Sequence, residues 1–343
     1  METAIRAGII GFGGMGQRHY AAYEQMGVNV QAICDYDPDK VHTILPNFPS
    51  SCVFSEPKTL LEKIDLDVVS IATNSPSHAA LVIASARAGI KRILCEKPMA
   101  TNLREARAMV DECHELGVRL AVNHVARWLE NQRELKRRIS EGAIGDLRHM
   151  YFHCGSVGLA NQGTHVFDKM RYLSGSEPQS VIGFIDQTGT PNVRGSQFED
   201  PGGFGIVLFK NGTRGFVDTS EDTGVPYVLQ LVGTFGQAYV NELQNVWRLS
   251  ARSEEDRAAP LTRYVLPLEE IPFETKDHFD IVELTKRALT ELLDDDGPVS
   301  CTGEDGMKAL EVTLAFHVSH DEGNRRIDLP LDDKYADKTV NFA

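Results

Sequence analysis

Six short apolar runs alternate with helical stretches over the first 124 residues of this 343-residue chain. The runs lie at 4–11, 28–35, 51–54, 67–73, 91–97 and 118–123. The spacing predicts helices over 14–26, from Pro57, from Ser75 and from Asn102, with Gly89 and Gly117 as their C-terminal stops. Near-continuous apolar strands separated by helices imply a parallel sheet covered on both faces.

The first strand runs into "GIIGFGGMGQRH" (8–19), which carries Gly11, Gly13 and Gly16 as GxGxxG. A lone motif of this kind is weak, but here a strand precedes it and a helix follows. Gly11 suits the tight turn, Gly13 a close approach by pyrophosphate, and Gly16 close helix–strand packing. Phe12, Gly14 and Met15 complete the candidate loop, whose phosphates would meet the free N–H groups of the helix start. The second strand ends in Asp35, 19 residues after Gly16. A carboxylate there accepts from ribose hydroxyls and repels a 2′-phosphate, which favours NAD over NADP despite Arg18 nearby. "ATNSPSHAAL" (72–81) follows the fourth strand, so Thr73, Asn74 and His78 join the candidate cofactor set, with Ser75 or Ser77 as a helix cap. "CEKPMAT" (95–101) ends the fifth strand and adds Glu96 and Lys97. Pro98 favours an extended conformation before it.

After about residue 124 the pattern changes. A helix, "ENQRELKRRISEGAIG", leads into a strand, "DLRHMYFHCGSV", and a short helix, "THVFDKMRYLSG". Strand-rich text follows over "QSVIGFIDQT", "GGFGIVLFKNGTRGFVDTS" and "PYVLQLVGTFGQAYV", with "KNGT" at 210–213 as a hairpin turn. Helices at roughly 276–295 and 303–320 close the chain, and 250–262 reads as an exposed loop. The expected division is 1–124 and 125–343, a natural number of domains at roughly 100–200 residues each. The expected class is α/β: an N-terminal Rossmann doubly wound parallel sheet plus a C-terminal α+β domain with a large open, mostly antiparallel sheet.

A formal net charge of −14 argues against a nucleic-acid partner, and the basic run Arg133–Gly142 reads as a solvated helix face. No stretch approaches ~18 consecutive apolar residues, so no membrane span is expected. Arg6 interrupts the apolar N-terminal run, which is unlike a signal peptide. Six scattered cysteines without CxxC fit a reducing, cytoplasmic setting, with Cys34, Cys95 and Cys154 as core residues. Among the eleven histidines no HxH, HExxH or Cys/His cluster occurs at ligand spacing, so no metal is expected.

"GIIGFGGMGQRH", "ATNSPSHAAL", "CEKPMATN", "EGAIGDLRHM", "NQGTHVFDKMRYLSG", "VGTFGQAYV" and "RRIDLPL" occur here in an order and spacing that resemble the GFO/IDH/MocA oxidoreductases. The resemblance spans essentially the whole chain. It implies a nicotinamide cofactor and hydride transfer at a carbinol or keto carbon of a carbohydrate-like small molecule: a sugar, inositol or nucleotide sugar. It also implies a homo-oligomer, dimer or tetramer, formed through the C-terminal sheet. The Lys of Glu-Lys-Pro carries over to Lys97, near the reacting hydroxyl, and the His of the family's Asp-x-x-x-His carries over to His165. Asn161 stands where that pattern has Asp, so it can hold a hydroxyl but cannot take its proton, and it tilts the substrate toward nucleotide-activated sugars.

Lys97 and His165 are therefore the two candidates for the proton. An imidazole titrates near neutrality unaided, whereas an amine needs its pKa depressed. That favours His165 as base with Lys97 polarising the oxygen, the reverse assignment remaining open. Asn161 is a candidate substrate contact; Arg127 and Trp128 begin the second domain and stay open between substrate contact and interdomain packing; Asp168, one turn after His165, stays open between holding its other ring nitrogen and a solvated or capping role. His124 and His153 stay open between substrate contact and packing. Two other readings on the same fold are a non-catalytic nucleotide sensor and a glycosidase that keeps its NAD.

Overall fold

The computed structural model describes residues 5–155, 158–189, 192 and 194–342. Ala4, Ser156 and Val157, which the strand assignments above include, lie outside the described residues. The chain divides into two compact units, each assembled from separate segments.

The first unit comprises 1–125, 280–310 and 339–343. Its leading elements are β1 (Arg6–Ile10), α1 (Gly14–Met26), β2 (Asn29–Cys34), α2 (Pro38–Ile44), β3 (Val53–Phe54), α3 (Pro57–Lys63), β4 (Val68–Ile71), α4 (His78–Arg87), β5 (Arg92–Cys95), α5 (Leu103–Glu115) and β6 (Arg119–Val122). The strands form one parallel sheet ordered β3-β2-β1-β4-β5-β6, the doubly wound order with its switch point between β1 and β4. β4 is buried throughout and β1 nearly so, as strands covered on both faces must be. Each expected strand is present, shortened at its ends. α2 was not anticipated: its seven residues bury only Val41, which leaves no periodic signal. Its start is instead fixed by Asp37, whose side chain accepts from Lys40 N, and by Pro38.

The second unit comprises 126–279 and 311–338. It begins with α6 (Glu130–Ser140), β7 (Leu147–His153), α7 (Gly163–Ser174), β8 (Pro178–Ile185), β9 (Gly203–Phe209), β10 (Arg214–Asp218), β11 (Val228–Gly233), β12 (Gly236–Asn241), β13 (Val246–Ala251), α8 (Glu254–Arg257) and β14 (Glu269–Ile271). The chain closes with α9 (Ile281–Leu293), α10 (Gly303–Asp321) and β15 (Ile327–Asp328). Nine strands form a sheet ordered β14-β13-β12-β11-β7-β10-β9-β8-β15. Its pairings are antiparallel except β7 with β10. One face buries Met150, Phe152, Val207, Val217, Leu229 and Leu231. The other carries a row of cross-strand partners, Tyr239, Gln230, Tyr151, Phe216, Ile206 and Ile182.

Three expectations change. A contiguous boundary after 124 gives way to a first unit that reclaims 280–310, because α9 packs on α1, β5 and β6 and Ala121 bridges to Thr302. β13 was missed although Trp247, Leu249 and Ala251 alternate with more exposed neighbours; the exposed loop expected at 250–262 thus starts inside a strand and includes α8. Cys154 lies just past β7 and is half-buried, whereas Cys34 and Cys95 are core residues as expected. All six cysteines are free thiols.

Candidate active site

β1 delivers the chain to Gly11, whose φ of 91° belongs to the region that favours glycine. A β-carbon on Gly11 would stand 2.7 Å from the Ala72 carbonyl, and one on Gly16 would stand 2.0 Å from the Gly11 oxygen. Those two glycines are required by the protein itself. Gly13 and Gly14 differ: a β-carbon on either meets no heavy atom within 4 Å. The space they leave is a cradle for something other than protein. α1 starts at this cradle with no acidic residue in its first turn and no side-chain cap at Gly13. Its first amides therefore lack intrahelical partners and suit the negative charge of a pyrophosphate.

Asp35 closes the other side. Its Oδ2 accepts from Phe12 N at 2.6 Å and its Oδ1 from Asp37 N at 3.0 Å. Each oxygen keeps a lone pair for a ribose hydroxyl. Burial, with Asp35 and Glu56 nearby, pushes the Cys34 thiol up to about 12, so it stays protonated. Arg18 donates to Met15 Sδ on the exposed side of α1. These residues fit NAD: Gly11 to Gly16 would hold its phosphates and Asp35 its adenosine ribose.

The β4 and β5 ends carry the remaining candidates. Thr73 Oγ1 lies 2.7 Å from Ser77 Oγ, and Asn74 is exposed. Ser77 occupies the cap position of α4, but its hydroxyl donates to Asn74 O and makes no cap hydrogen bond. His78 is buried, with Nδ1 2.9 Å from Pro98 O and Nε2 3.0 Å from Thr73 O. It ties the loop after β4 to the loop after β5, and burial lowers its pKa. Glu96 is likewise turned inward. Its Oε1 accepts from His19 Nε2 at 2.9 Å and from Asn123 Nδ2 at 2.7 Å. Burial by itself would raise this carboxyl; the bond from His19 and its charge, then the charge of Lys97 and the bond from Asn123, outweigh it and hold it at about 2. Lys97, next in the chain, is half-buried and joined to Pro98 by a cis peptide.

In the second unit, α7 carries His165, half-buried, on its first turn. The approach to α7 is held by Asp200, whose two oxygens accept from Ala160 N at 2.7 Å and Asn161 N at 2.8 Å. The Asn161 Oδ1 accepts from Arg194 Nη2 at 3.0 Å. Asp168, expected beside His165, accepts from Arg127 Nε at 2.8 Å and Nη2 at 2.6 Å. Arg127 is thereby fixed in the interior of this unit, over the Tyr172 ring, and Trp128 is fully buried. One turn beyond His165, Lys169 donates to Glu242 Oε1 at 2.7 Å and to the Tyr227 hydroxyl. Burial raises the Tyr227 phenol well above its ordinary value, so it remains a neutral hydroxyl. Among the described residues no group of three or more His, Cys, Asp or Glu could hold a metal ion.

His19, Asn123, Lys169, Glu242, Tyr227, Asp200 and Arg194 were not singled out from the sequence. His19 alone left a trace there, three residues past Gly16 on the first helix.

Two family models cover most of the chain. Residues 5–124 match the oxidoreductase family's NAD-binding Rossmann fold, and 148–329 match its C-terminal alpha/beta domain. The chain belongs to the GFO/IDH/MocA oxidoreductase family. It is an NAD-dependent oxidoreductase. This GFO/IDH/MocA protein is 26% identical to D-apiose dehydrogenase of Paraburkholderia graminis, over 95% of this chain and 90% of the relative. It is 24% identical to myo-inositol 2-dehydrogenase of Thermotoga maritima, over 93% and 97%. Among solved structures, levoglucosan dehydrogenase in complex with NADH and levoglucosan superposes with a TM-score of 0.80 at 22% identity, over 95% and 99%.

Proposed function

We propose that this oxidoreductase moves hydride between NAD and a carbinol carbon of a sugar or cyclitol. The observation that carries the reading is the near full-length similarity to dehydrogenases named for apiose and myo-inositol. A nucleotide-sugar substrate is the narrower variant suggested by Asn161. NAD, when bound, accepts the hydride in the oxidative direction or supplies it from NADH in the reverse. His165, half-buried on the first turn of α7, takes the hydroxyl proton as general base. Lys97 polarises the reacting oxygen as an ammonium ion. Asn161, oriented by Arg194, holds a neighbouring hydroxyl. Arg127 supports α7 through Asp168 rather than contacting substrate.

A homo-oligomer is part of this reading. Tyr151, Phe184, Phe204 and Tyr239 are 37–44% exposed on the second unit's sheet. Tyr151 stacks on Phe216 and Phe184 on Phe204, each at 4.7 Å between ring centres. An apolar sheet face of this kind is suited to a second copy of the chain. A cytoplasmic location also belongs to the reading, supported by the free thiols.

The test is a screen of aldopentoses, inositols, anhydrosugars and UDP-sugars with NAD and NADP, following reduced nicotinamide by absorbance. NAD-dependent turnover that falls at least about a hundredfold in both Lys97→Ala and His165→Ala supports the reading. Turnover unaffected by His165→Ala removes its proposed role. NADH binding with no turnover on any class would favour the sensor.

A further inference from the structure

The first unit holds a cleft of about 660 Å³ at the edge of its sheet. Tyr20 and Glu24 of α1, the amino-terminal half of β2 and residues of the 44–52 connection between α2 and β3 line it. Small-molecule sites span about 300–1,000 Å³, so the size suits a ligand. The cleft is not the nucleotide crevice. Its last β2 residue, Gln31, precedes Asp35 by four positions, about 13 Å along an extended strand. Neither Lys97 nor His165 lines it.

One part of the lining is aromatic. The Tyr20 and Phe48 rings meet edge-on, with centres 6.4 Å apart. Tyr20 also meets the fully buried Phe12 edge-on at 6.0 Å. Its ring is thus held from two directions, which lowers the ordering cost of binding against it. Burial, then the charge of Glu24, raises the Tyr20 phenol, so it stays a neutral hydroxyl. The other part is polar. Asn29, Gln31 and Asn47 bring three side-chain amides, none hydrogen-bonded to another described residue. Glu24 is the one acidic residue of the lining, and no lysine, arginine or histidine belongs to it.

This chemistry selects among ligands. A phosphate or carboxylate would meet only negative charge. An apolar molecule would cover three amides and a carboxylate without bonding them. An ammonium group only donates, so it could use Glu24 but would leave the amide N–H groups unmatched. A hydroxyl both donates and accepts, as an amide does. A cyclic polyol carries hydroxyls around its edge and C–H groups on its faces. The edge suits the amides and Glu24, and a face suits an aromatic ring.

We propose that this cleft binds a neutral cyclic polyol, a monosaccharide or cyclitol, with Tyr20 and Phe48 against the ring face and Glu24, Asn29, Gln31 and Asn47 holding its hydroxyls. The site is separate from the reaction site and does not depend on the roles given to Lys97 and His165.

Cys52 lines the same cleft and is half-buried, so its thiol reports occupancy there. The other first-unit cysteines, Cys34, Cys95, Cys113 and Cys301, are buried. Carbamidomethylation of the NADH-loaded protein is followed by mass spectrometry of the Cys52 peptide, with D-glucose and myo-inositol as probes. At saturation at least one of them is expected to slow Cys52 about fivefold or more, with half-protection at roughly millimolar concentration. Asn47→Ala removes an exposed amide that no other described residue bonds, so the fold is expected to persist. Phe48→Leu keeps apolar bulk and removes the ring. In both variants the half-protecting concentration is expected to rise about tenfold or more, and in His165→Ala to stay within about twofold. No protection by either probe up to about 100 mM overturns the proposal. Protection unchanged in both cleft variants overturns it, as does protection weakened equally in His165→Ala, which would place the sugar at the reaction site. Stronger protection by glucose 6-phosphate than by glucose overturns the ligand class.

Discussion

The Gly16 α-carbon lies so near the Gly11 carbonyl that a β-carbon at Gly16 would stand 2.0 Å from its oxygen, whereas at Gly13 it would touch nothing. Gly16 is therefore needed by the protein itself, whereas the space at Gly13 is what the proposed pyrophosphate contact requires. Gly16→Ala is expected to lower the melting temperature by several degrees, because backbone must shift. Gly13→Ala is expected to melt within about a degree of the parent yet bind NADH at least about tenfold more weakly. Thermal melts paired with fluorescence titration distinguish the cases; equal losses of stability in both variants would contradict this division.

Asp35 supplies the second cofactor prediction. Its carboxylate is held by Phe12 N and Asp37 N, and we propose that it accepts from the adenosine ribose. Asp35→Ala removes acceptors for the ribose and a charge that repels a 2′-phosphate. NADH affinity is expected to fall about tenfold to a hundredfold, with NADPH affected less. Titrations with both nucleotides check it, and an unchanged NADH-to-NADPH ratio would rule it out.

The Lys169–Glu242 pair is nearly inaccessible to water. Removing one partner strands the other charge, so Lys169→Met is expected to cost about 3–5 kcal/mol. Replacing both, as Lys169→Met with Glu242→Leu, should recover most of that loss. Urea unfolding of the parent and the three variants measures the coupling. Additive losses would mean that the ion pair is not the source of the cost.

His317, on the second-unit part of α10, is buried, and that burial is the main cause that lowers its pKa to about 4. Lys338 and His320 lower it further, while Asp321 opposes them. In the unfolded chain it titrates near its ordinary value of 6.5. Between these values the unfolded state binds the additional proton, so stability falls as pH drops from about 6.5 toward 4. The full span corresponds to about 3 kcal/mol. His317→Gln is expected to flatten this part of the curve, measured by denaturant unfolding at successive pH values. A slope as steep as the parent's would assign the loss to other groups.

The exposed aromatic sheet face gives a prediction on assembly. Phe204→Asp places a charge beside Phe184 on the exposed apolar face. It is expected to yield monomers by light scattering while leaving the melting transition cooperative. A parent protein that is itself monomeric at micromolar concentration would overturn the oligomer reading.

Much of the first unit was legible in the sequence because its signals are local. β1, the glycines and Asp35 lie within 35 residues, and each strand is an apolar run bounded by turn residues. β14 was illegible for the opposite reason: its residues are Glu269, Glu270 and Ile271, and only pairing with β13 makes them a strand. In the candidate site, Gly11, Gly16 and Asp35 could be placed from spacing. The inward turn of Glu96 could not, because its partners lie 77 and 27 positions away. The bidentate hold of Arg127 on Asp168 shows the same limit, since the two lie 41 positions apart.

The segmented make-up of the first unit bears on the order in which the molecule is made. The six strands and the phosphate cradle leave the ribosome within the first 125 residues, yet α9, which packs on α1 and reaches Asn123 through Thr285, emerges more than 150 residues later. Until α9 arrives, the surfaces of α1, β5 and β6 that it covers in the folded protein have no such cover. Assembly of the nucleotide-binding half is therefore completed late in translation, and a chain released early would present those surfaces to whatever chaperone or protease meets it first.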